Sequence, residues 1–269
     1  MALLLVLLLA VTAAACGQKE TPKPASNELS GNIQIAGSTS VQPLSEELAK
    51  AFMAKNPKVK INVAGGGSGA GIKAAAEGTA DIGASSRELK AEEKKVKEFV
   101  IALDGVAVIV HKDNKVADLK IEDVKKIFSG EITDWSKVGG AKGAIHVISR
   151  EEGSGTRGAF DELVLGKEGK LTEKAIVQNS TGAVRTAVAT DKNAIGYISL
   201  GSLNDEIKAL KINGVEATAA NVKNNSYKIS RPFIYMTPKE PAGIVKAYID
   251  YVLSAEGQEL VKKHFISIK

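Results

Sequence analysis

The chain has 269 residues, a formal net charge of +5, 44% hydrophobic residues and only 4% aromatic residues. That length accommodates two modest lobes. Lysines such as Lys94, Lys95 and Lys97 interleave with Glu92, Glu93 and Glu98, the pattern of a solvated face, and no basic stripe carries stacking residues, which argues against a nucleic-acid partner. Cys16 is the single cysteine, so no intrachain disulfide can form.

In chain order, residues 2–15 form an apolar run of the length of a secretory signal core, too short to cross a bilayer, so residues 1–15 are expected to be a signal peptide. Cys16 follows small residues, a position that resembles a lipoprotein cleavage site and makes it the expected lipidated residue. Residues 16–30 contain Lys19, Glu20, Pro22, Lys23 and Pro24, cannot bury a core, and are expected to be an extended tether holding the protein on the membrane.

The folded part begins near Gly31. Residues 33–36 read as a strand. Val41, Leu44, Leu48, Ala51 and Phe52 then fall at helical spacing until Asn56-Pro57. Val59, Ile61 and Val63 alternate as a half-buried strand, followed by a glycine cluster, an Ala-rich helix ending near Gly78, and a short strand at residues 82–83. A charged helix over residues 91–98 is expected before the apolar runs 99–103 and 106–110. Beyond His111 the pattern gives a helix (121–128), a loop with Trp135, a strand (144–148), a helix with Phe160, Leu163 and Val164, and a helix after Thr181-Gly182. A strand (194–199), strands near 207–212 and 227–236, and helices at 242–253 and 256–264 complete the chain. Alternating β and α units predict an α/β protein with parallel-rich sheets, two being a better fit than one, and ligands at the carboxyl ends of the strands.

Three small-residue clusters sit between a strand-like and a helix-like run: Gly37-Ser38-Thr39-Ser40, Gly65-Gly66-Gly67-Ser68-Gly69-Ala70-Gly71, and Gly153-Ser154-Gly155-Thr156-Arg157. Glycine permits close backbone approach, while hydroxyls and free N–H groups donate into a small volume. Arg150 and Arg157 add full positive charge beside the third cluster, a combination suited to a small, multiply charged oxyanion. The second cluster formally satisfies a dinucleotide-binding fingerprint, but no acidic residue ends a second strand about twenty positions on. It is not a P-loop either, because Lys73 is followed by Ala74.

Catalysis has thin support. The histidines are His111, His146 and His264 only, no serine stands in a nucleophile elbow, and no Cys/His spacing suits a metal, so neither a cofactor nor a metal is expected.

The chain resembles the phosphate-binding lipoproteins of bacterial phosphate ABC importers through Ala36-Gly37-Ser38-Thr39-Ser40, Gly67-Ser68-Gly69-Ala70-Gly71, Asp81-Ile82-Gly83-Ala84-Ser85-Ser86-Arg87, Arg150-Glu151-Glu152-Gly153-Ser154-Gly155-Thr156, Ala194-Ile195-Gly196-Tyr197 and Arg231-Pro232-Phe233. The resemblance runs over residues 31–269. It implies a two-lobed periplasmic-binding-protein fold of type II with the ligand in the interlobe cleft, inorganic phosphate as ligand, the importer's membrane permease subunits as partners, a monomer, and no catalytic step. The implied donors are Thr39, Ser40, Ser68, the Gly69 N–H, Arg150, Ser154, Gly155 and Thr156, with Ser86 and Arg87 beside them. Many members place an aspartate where Ser86 stands, to accept the proton that phosphate carries and sulfate lacks. Glu152 is the nearest other carboxylate in sequence.

Lobe I is expected over residues 31–107 and 200–269, and lobe II over 108–199, with crossovers near 105–110 and 196–201. Two alternatives stay open: a carrier of sulfate, molybdate or tungstate, and a secreted phosphoester hydrolase using a cluster hydroxyl as nucleophile.

Overall fold

The computed structural model describes residues 28–166 and 168–269; the signal-like run, Cys16 and the tether up to residue 27 lie outside them. Strands β1 (Gly31–Gly37), β2 (Val59–Gly65) and β3 (Ile82–Ser85) alternate with helices α1 (Gln42–Lys55) and α2 (Ser68–Glu77). Strand β4 (Lys97–His111) leads to β5 (Asp118–Leu119), α3 (Ile121–Ser129), β6 (His146–Arg150), α4 (Gly155–Phe160), β7 (Ile176–Gln178), α5 (Thr181–Thr190) and β8 (Ala194–Ser199). The chain closes with β9 (Ile207–Ala209), β10 (Lys211–Ile212), α6 (Ala219–Lys223), β11 (Ser230–Thr237), α7 (Gly243–Leu253) and α8 (Ala255–Val261).

Instead of two separate main sheets, one nine-stranded sheet runs in the order β2-β1-β3-β11-β4-β8-β6-β7, with β9 also on β4, while β5 and β10 form a small parallel pair. The apolar runs 99–103 and 106–110 are one 15-residue strand, β4, roughly 50 Å long at about 3.3 Å per residue. Its first part pairs antiparallel with β11 and its second part with β8 and β9, so β4 belongs to both lobes and changes partner at Asp104-Gly105. The expected charged helix is reduced to a single turn at Ala91–Glu93. Residues 91–98 offer no apolar stripe to bury, and Lys97 and Glu98 join the sheet opposite Thr237 and Met236.

Two main cores flank this strand. Ile33, Ile35, Leu48, Phe52, Ile101, Phe233, Tyr235 and Tyr248 pack in the first lobe. Val106, Val108, Phe128, Trp135, Phe160 and Tyr197 pack in the second, together with Leu210, Val222, Tyr227 and Ile229. Residues 200–229 therefore belong with the second lobe, which corrects the expected return crossing at 196–201 to the entry of β11 near Ser230. The reason is local pairing: β9 bonds the far end of β4, and Tyr227 Oη donates to the Val106 carbonyl at 2.9 Å. Helix α8 ends at Val261, so His264 lies in the turn beyond it.

Helix α2 lies directly on the backbones of β1 and β3. A Cβ at Gly71 would stand 2.6 Å from the Ala36 carbonyl oxygen and 2.8 Å from that of Ala84, so only glycine allows this approach, which carries Ser68 to the ends of the strands. Gly71→Ala is expected to destabilise the protein by about 1–3 kcal/mol, lowering Tm by several degrees, at about 2–4 °C per kcal/mol for a domain of this size. Gly182→Ala serves as the contrast in the same thermal-unfolding measurement, because a Cβ there meets nothing within 4 Å and should be neutral or slightly stabilising in a helix.

Candidate functional site

Parallel strands β1, β3, β6 and β7 deliver hydroxyl or guanidinium groups just beyond, or at, their carboxyl ends, where open α/β sheets place ligands. After β1 come Ser38, Thr39 and Ser40; β3 ends beside Ser86; β6 ends in Arg150 with Ser154, Gly155 and Thr156 shortly after it; and β7 leads to Ser180 and Thr181. Ser68 arrives on the first residue of α2.

These groups meet across the two lobes. Ser40 Oγ lies 2.8 Å from Thr156 Oγ1 and 2.9 Å from Thr181 Oγ1, and Thr39 Oγ1 lies 3.2 Å from Thr181 Oγ1. Arg150 donates from Nη2 to Thr39 Oγ1 at 3.2 Å and from Nη1 to Thr181 Oγ1 at 3.3 Å. Its Nε and Nη2 also hold the two carboxylate oxygens of Glu151, each at 2.8 Å. Arg150 is only 2% exposed; this bidentate carboxylate and the hydroxyls compensate the desolvation of its charge. The Arg157 side chain donates to the Arg150 carbonyl at 3.0 Å and pairs with Asp161, so it steadies the strand end that carries Arg150. Burial raises the Asp161 carboxyl above its ordinary range despite that partner.

On the first-lobe side, Ser38 Oγ donates to Ser86 Oγ at 2.8 Å, and the Ser86 N–H donates to Ser68 Oγ at 3.0 Å. A Cβ at Gly155 would stand 2.1 Å from Ser68 Oγ and 2.8 Å from Ser86 Oγ, so glycine at 155 lets α4 close onto these two hydroxyls. Behind Ser86 lies a fully buried ion pair. Arg231 donates to Asp104 Oδ2 from Nε at 3.1 Å and from Nη2 at 3.0 Å, while Ser199 Oγ and the Leu200 N–H donate to Asp104 Oδ1. Burial pushes the Asp104 carboxyl up to about 6, against the opposing effect of Arg231 and the two other donors. Burial likewise lowers Arg231 from its ordinary value, Asp104 opposing.

Thr39, Ser40, Ser68, Ser86, Arg150, Gly155 and Thr156 are thus brought together as one constellation. Ser154 is buried at its edge, where its hydroxyl caps α4 by accepting from the Arg157 N–H. Two expected donors are engaged elsewhere. The Gly69 N–H donates to the Gly153 carbonyl at 3.0 Å, fastening the lobes directly. Arg87 places Nη1 and Nη2 on the carboxylate of Glu93, at 2.7 and 2.8 Å, rather than among the hydroxyls, and that contact holds Glu93 below the usual carboxylate range. Glu152 makes no contact with the hydroxyl cluster among the described hydrogen bonds.

Thr181, Asp104, Arg231 and the inward-facing role of Ser38 escaped the sequence reading. Ser180-Thr181-Gly182 repeats the same small-residue grammar between a strand and a helix, and that was the available signal.

The profile of the PBP superfamily domain matches residues 22–256, which places this two-lobed architecture and its cleft in the class of periplasmic-type binding proteins. The phosphate-binding protein PstS of Bacillus subtilis (strain 168) is 34% identical over 276 aligned residues, covering 96% of this chain and 91% of that protein. Among solved structures, one titled as a candidate phosphate ABC transporter substrate-binding protein from Clostridium perfringens, with bound phosphate, is 47% identical with a TM-score of 0.86, over 89% of this chain and all of that one. An ABC-type phosphate transport receptor from Vibrio cholerae is 33% identical with a TM-score of 0.73, over 88% of this chain. The chain belongs to the PstS family of phosphate-binding proteins.

The Asp104 environment has a consequence for stability. Its folded pKa of about 6 exceeds the ordinary 3.8, so the stability this carboxyl contributes is fully present below about pH 4 and is lost as pH rises through about 6. Unfolding free energies of the parent and of Asp104→Asn, measured by urea titration across that window, should show the parent's advantage over the variant falling as pH rises. A difference that stays constant or grows would contradict the assignment.

Proposed function

We infer that the protein captures inorganic phosphate outside the cytoplasm and delivers it to the membrane permease of an ABC importer, with no catalytic step. The observation that carries this reading is the convergence of Thr39, Ser40, Ser68 and Ser86 from one lobe with Arg150, Thr156 and Thr181 from the other, in a chain whose relatives along nearly its whole length are phosphate-binding proteins. Hydroxyls surround a tetrahedral anion with neutral donors, and a buried guanidinium adds charge-assisted bonds of fixed geometry. Contacts from both lobes to one anion exist only when the lobes are together, so phosphate favours the closed arrangement by mass action.

The ligand donors in this reading are Thr39, Ser40, Ser68, Arg150, Ser154, Gly155 and Thr156, joined by Thr181, Ser38 and Ser86. The hydrolase alternative is not favoured. His146 is exposed with Nδ1 2.6 Å from Asp191, and His111 Nδ1 accepts from the Asp113 N–H, so neither activates a hydroxyl of the cluster. At the finer level, a lipid on Cys16 would hold the protein at the membrane through residues 17–30, and the folded part would act as a monomer. Among the described residues no helix is long and apolar enough to cross a membrane.

Two measurements test the reading. Phosphate at about a hundred times its Kd should add about 2.7 kcal/mol to stability, raising Tm by roughly 5–10 °C. Arg150→Ala should weaken phosphate binding by about 10- to 100-fold in calorimetric titration, the loss of charge-assisted hydrogen bonds. Lys95→Ala, on an exposed turn, should bind like the parent. Equal affinities for all three proteins would remove Arg150 from the site.

A further inference from the structure

Ser86 sits at the floor of the cleft with its side chain fully buried, and its hydrogen-bonding capacity is almost wholly assigned. A hydroxyl has two lone pairs and one O–H. Ser38 Oγ donates into one lone pair at 2.8 Å, and Arg231 Nη1 reaches the other at 3.4 Å. A guanidinium has donors only and can never reverse that bond. Its orientation is fixed from behind: Nε and Nη2 are gripped by Asp104, which is itself pinned by Ser199 and Leu200, so Nη1 is the nitrogen left facing Ser86. The one capacity left to Ser86 is its proton. Beyond Ser38, which donates to it, the Ser86 hydroxyl has Ser68 Oγ at 3.4 Å, an acceptor that already receives the Ser86 N–H.

We propose that Arg231, held by Asp104, is a specificity-setting positioning residue that makes Ser86 a hydrogen-bond donor to the bound anion. This rests on the reading of the cleft as the phosphate site and deepens it. A donor at position 86 meets a bare oxygen of the ligand. Both carboxylate oxygens of Glu151, the acid next to Arg150, are engaged by that guanidinium. The proton of monohydrogen phosphate is then taken by a hydroxyl that rotates to accept it, as Thr39, Ser40, Thr156 or Thr181 can, at little cost. A site with a fixed acceptor for a ligand hydroxyl rejects an analogue lacking that hydroxyl by roughly 10⁴–10⁵. This site instead tolerates tetrahedral dianions as a class, with phosphate ahead of sulfate by less than about 10³.

The test is a pair of competition titrations of the full-length protein with inorganic phosphate and sulfate at constant pH. Ser86→Ala should weaken both anions by the same factor, about tenfold, because a donor common to both has been removed. A loss confined to phosphate would show that Ser86 accepts the ligand's proton and would overturn the proposal alone. The paired variant Arg231→Gln with Asp104→Asn keeps an amide pair in the buried space and frees a lone pair on Ser86; the preference for phosphate over sulfate should rise about tenfold. An unchanged ratio with phosphate still bound would equally overturn the role of Arg231. If Ser86→Ala and Arg150→Ala both bind the two anions like the parent, the cleft reading itself fails and the proposal falls with it.

Discussion

Burying hydroxyls without partners is what this fold has to avoid, and its cleft is organised around that constraint. An unpaired hydroxyl removed from water costs on the order of 1–3 kcal/mol, and Ser38, Ser40, Ser68, Ser86, Thr156 and Thr181 are all buried. They satisfy one another, Ser38, Ser68 and Ser86 within the first lobe and Ser40 across the lobes to Thr156 and Thr181, with Arg150 adding donors to Thr39 and Thr181. Apart from Ser86, whose lone pairs are held by Ser38 and Arg231, these hydroxyls can exchange donor for acceptor by rotation, so an anion entering this volume can replace their mutual bonds. In the proposed reading, the hydroxyls that join the two lobes are the same ones that would hold the ligand, so the balance between their mutual bonds and their bonds to phosphate would set how strongly phosphate favours the closed arrangement.

The scaffold makes this arrangement possible through one strand. Strand β4 runs through both lobes, pairing with β11 up to Gly105 and with β8 from Val106, so the strand ends that carry the clusters converge from both sides on one place. At that changeover Asp104 joins Arg231 on β11 to Ser199 and Leu200 at the end of β8. A buried pair of this kind adds little net stability over apolar packing, but breaking it leaves an uncompensated charge. Its role here is geometric: it fixes both crossings between the lobes and aims the remaining guanidinium nitrogen at Ser86.

Much of the site was legible because its signal is local. Glycine with serine or threonine between a strand pattern and a helix pattern carries its chemistry within a few residues; Thr39, Ser40, Ser68, Gly155 and Thr156 lie in such clusters and Arg150 beside one, while the choice of individual donors came from the family resemblance. Thr181 belongs to the same grammar, but its strand has three residues, with Ile176 and Val177 exposed, too short and too open to show a period. Asp104 and Arg231 lie 127 positions apart, each beside an apolar run, and nothing local announces a pair. The continuity of β4 was hidden for a related reason: Asp104-Gly105 interrupts the apolar pattern and reads as a break, whereas a buried arginine opposite makes the charge tolerable inside a strand. The same long-range pairing moved residues 200–229 into the second lobe, and Arg87 was drawn away from the cleft by Glu93, a local partner that composition alone could not rank above a ligand.

The central claim is that one anion is held at once by hydroxyls of the first lobe and by Arg150 and its neighbours in the second. The crystal structure of the protein grown with inorganic phosphate tests it most directly. The account predicts a single tetrahedral anion within hydrogen-bonding distance of Thr39 or Ser40 on one side and of Arg150 and Thr181 on the other, with the Ser86 hydroxyl on one of its oxygens. Phosphate bound outside this cluster, or contacting one lobe only while the hydroxyls keep their mutual bonds, would contradict it.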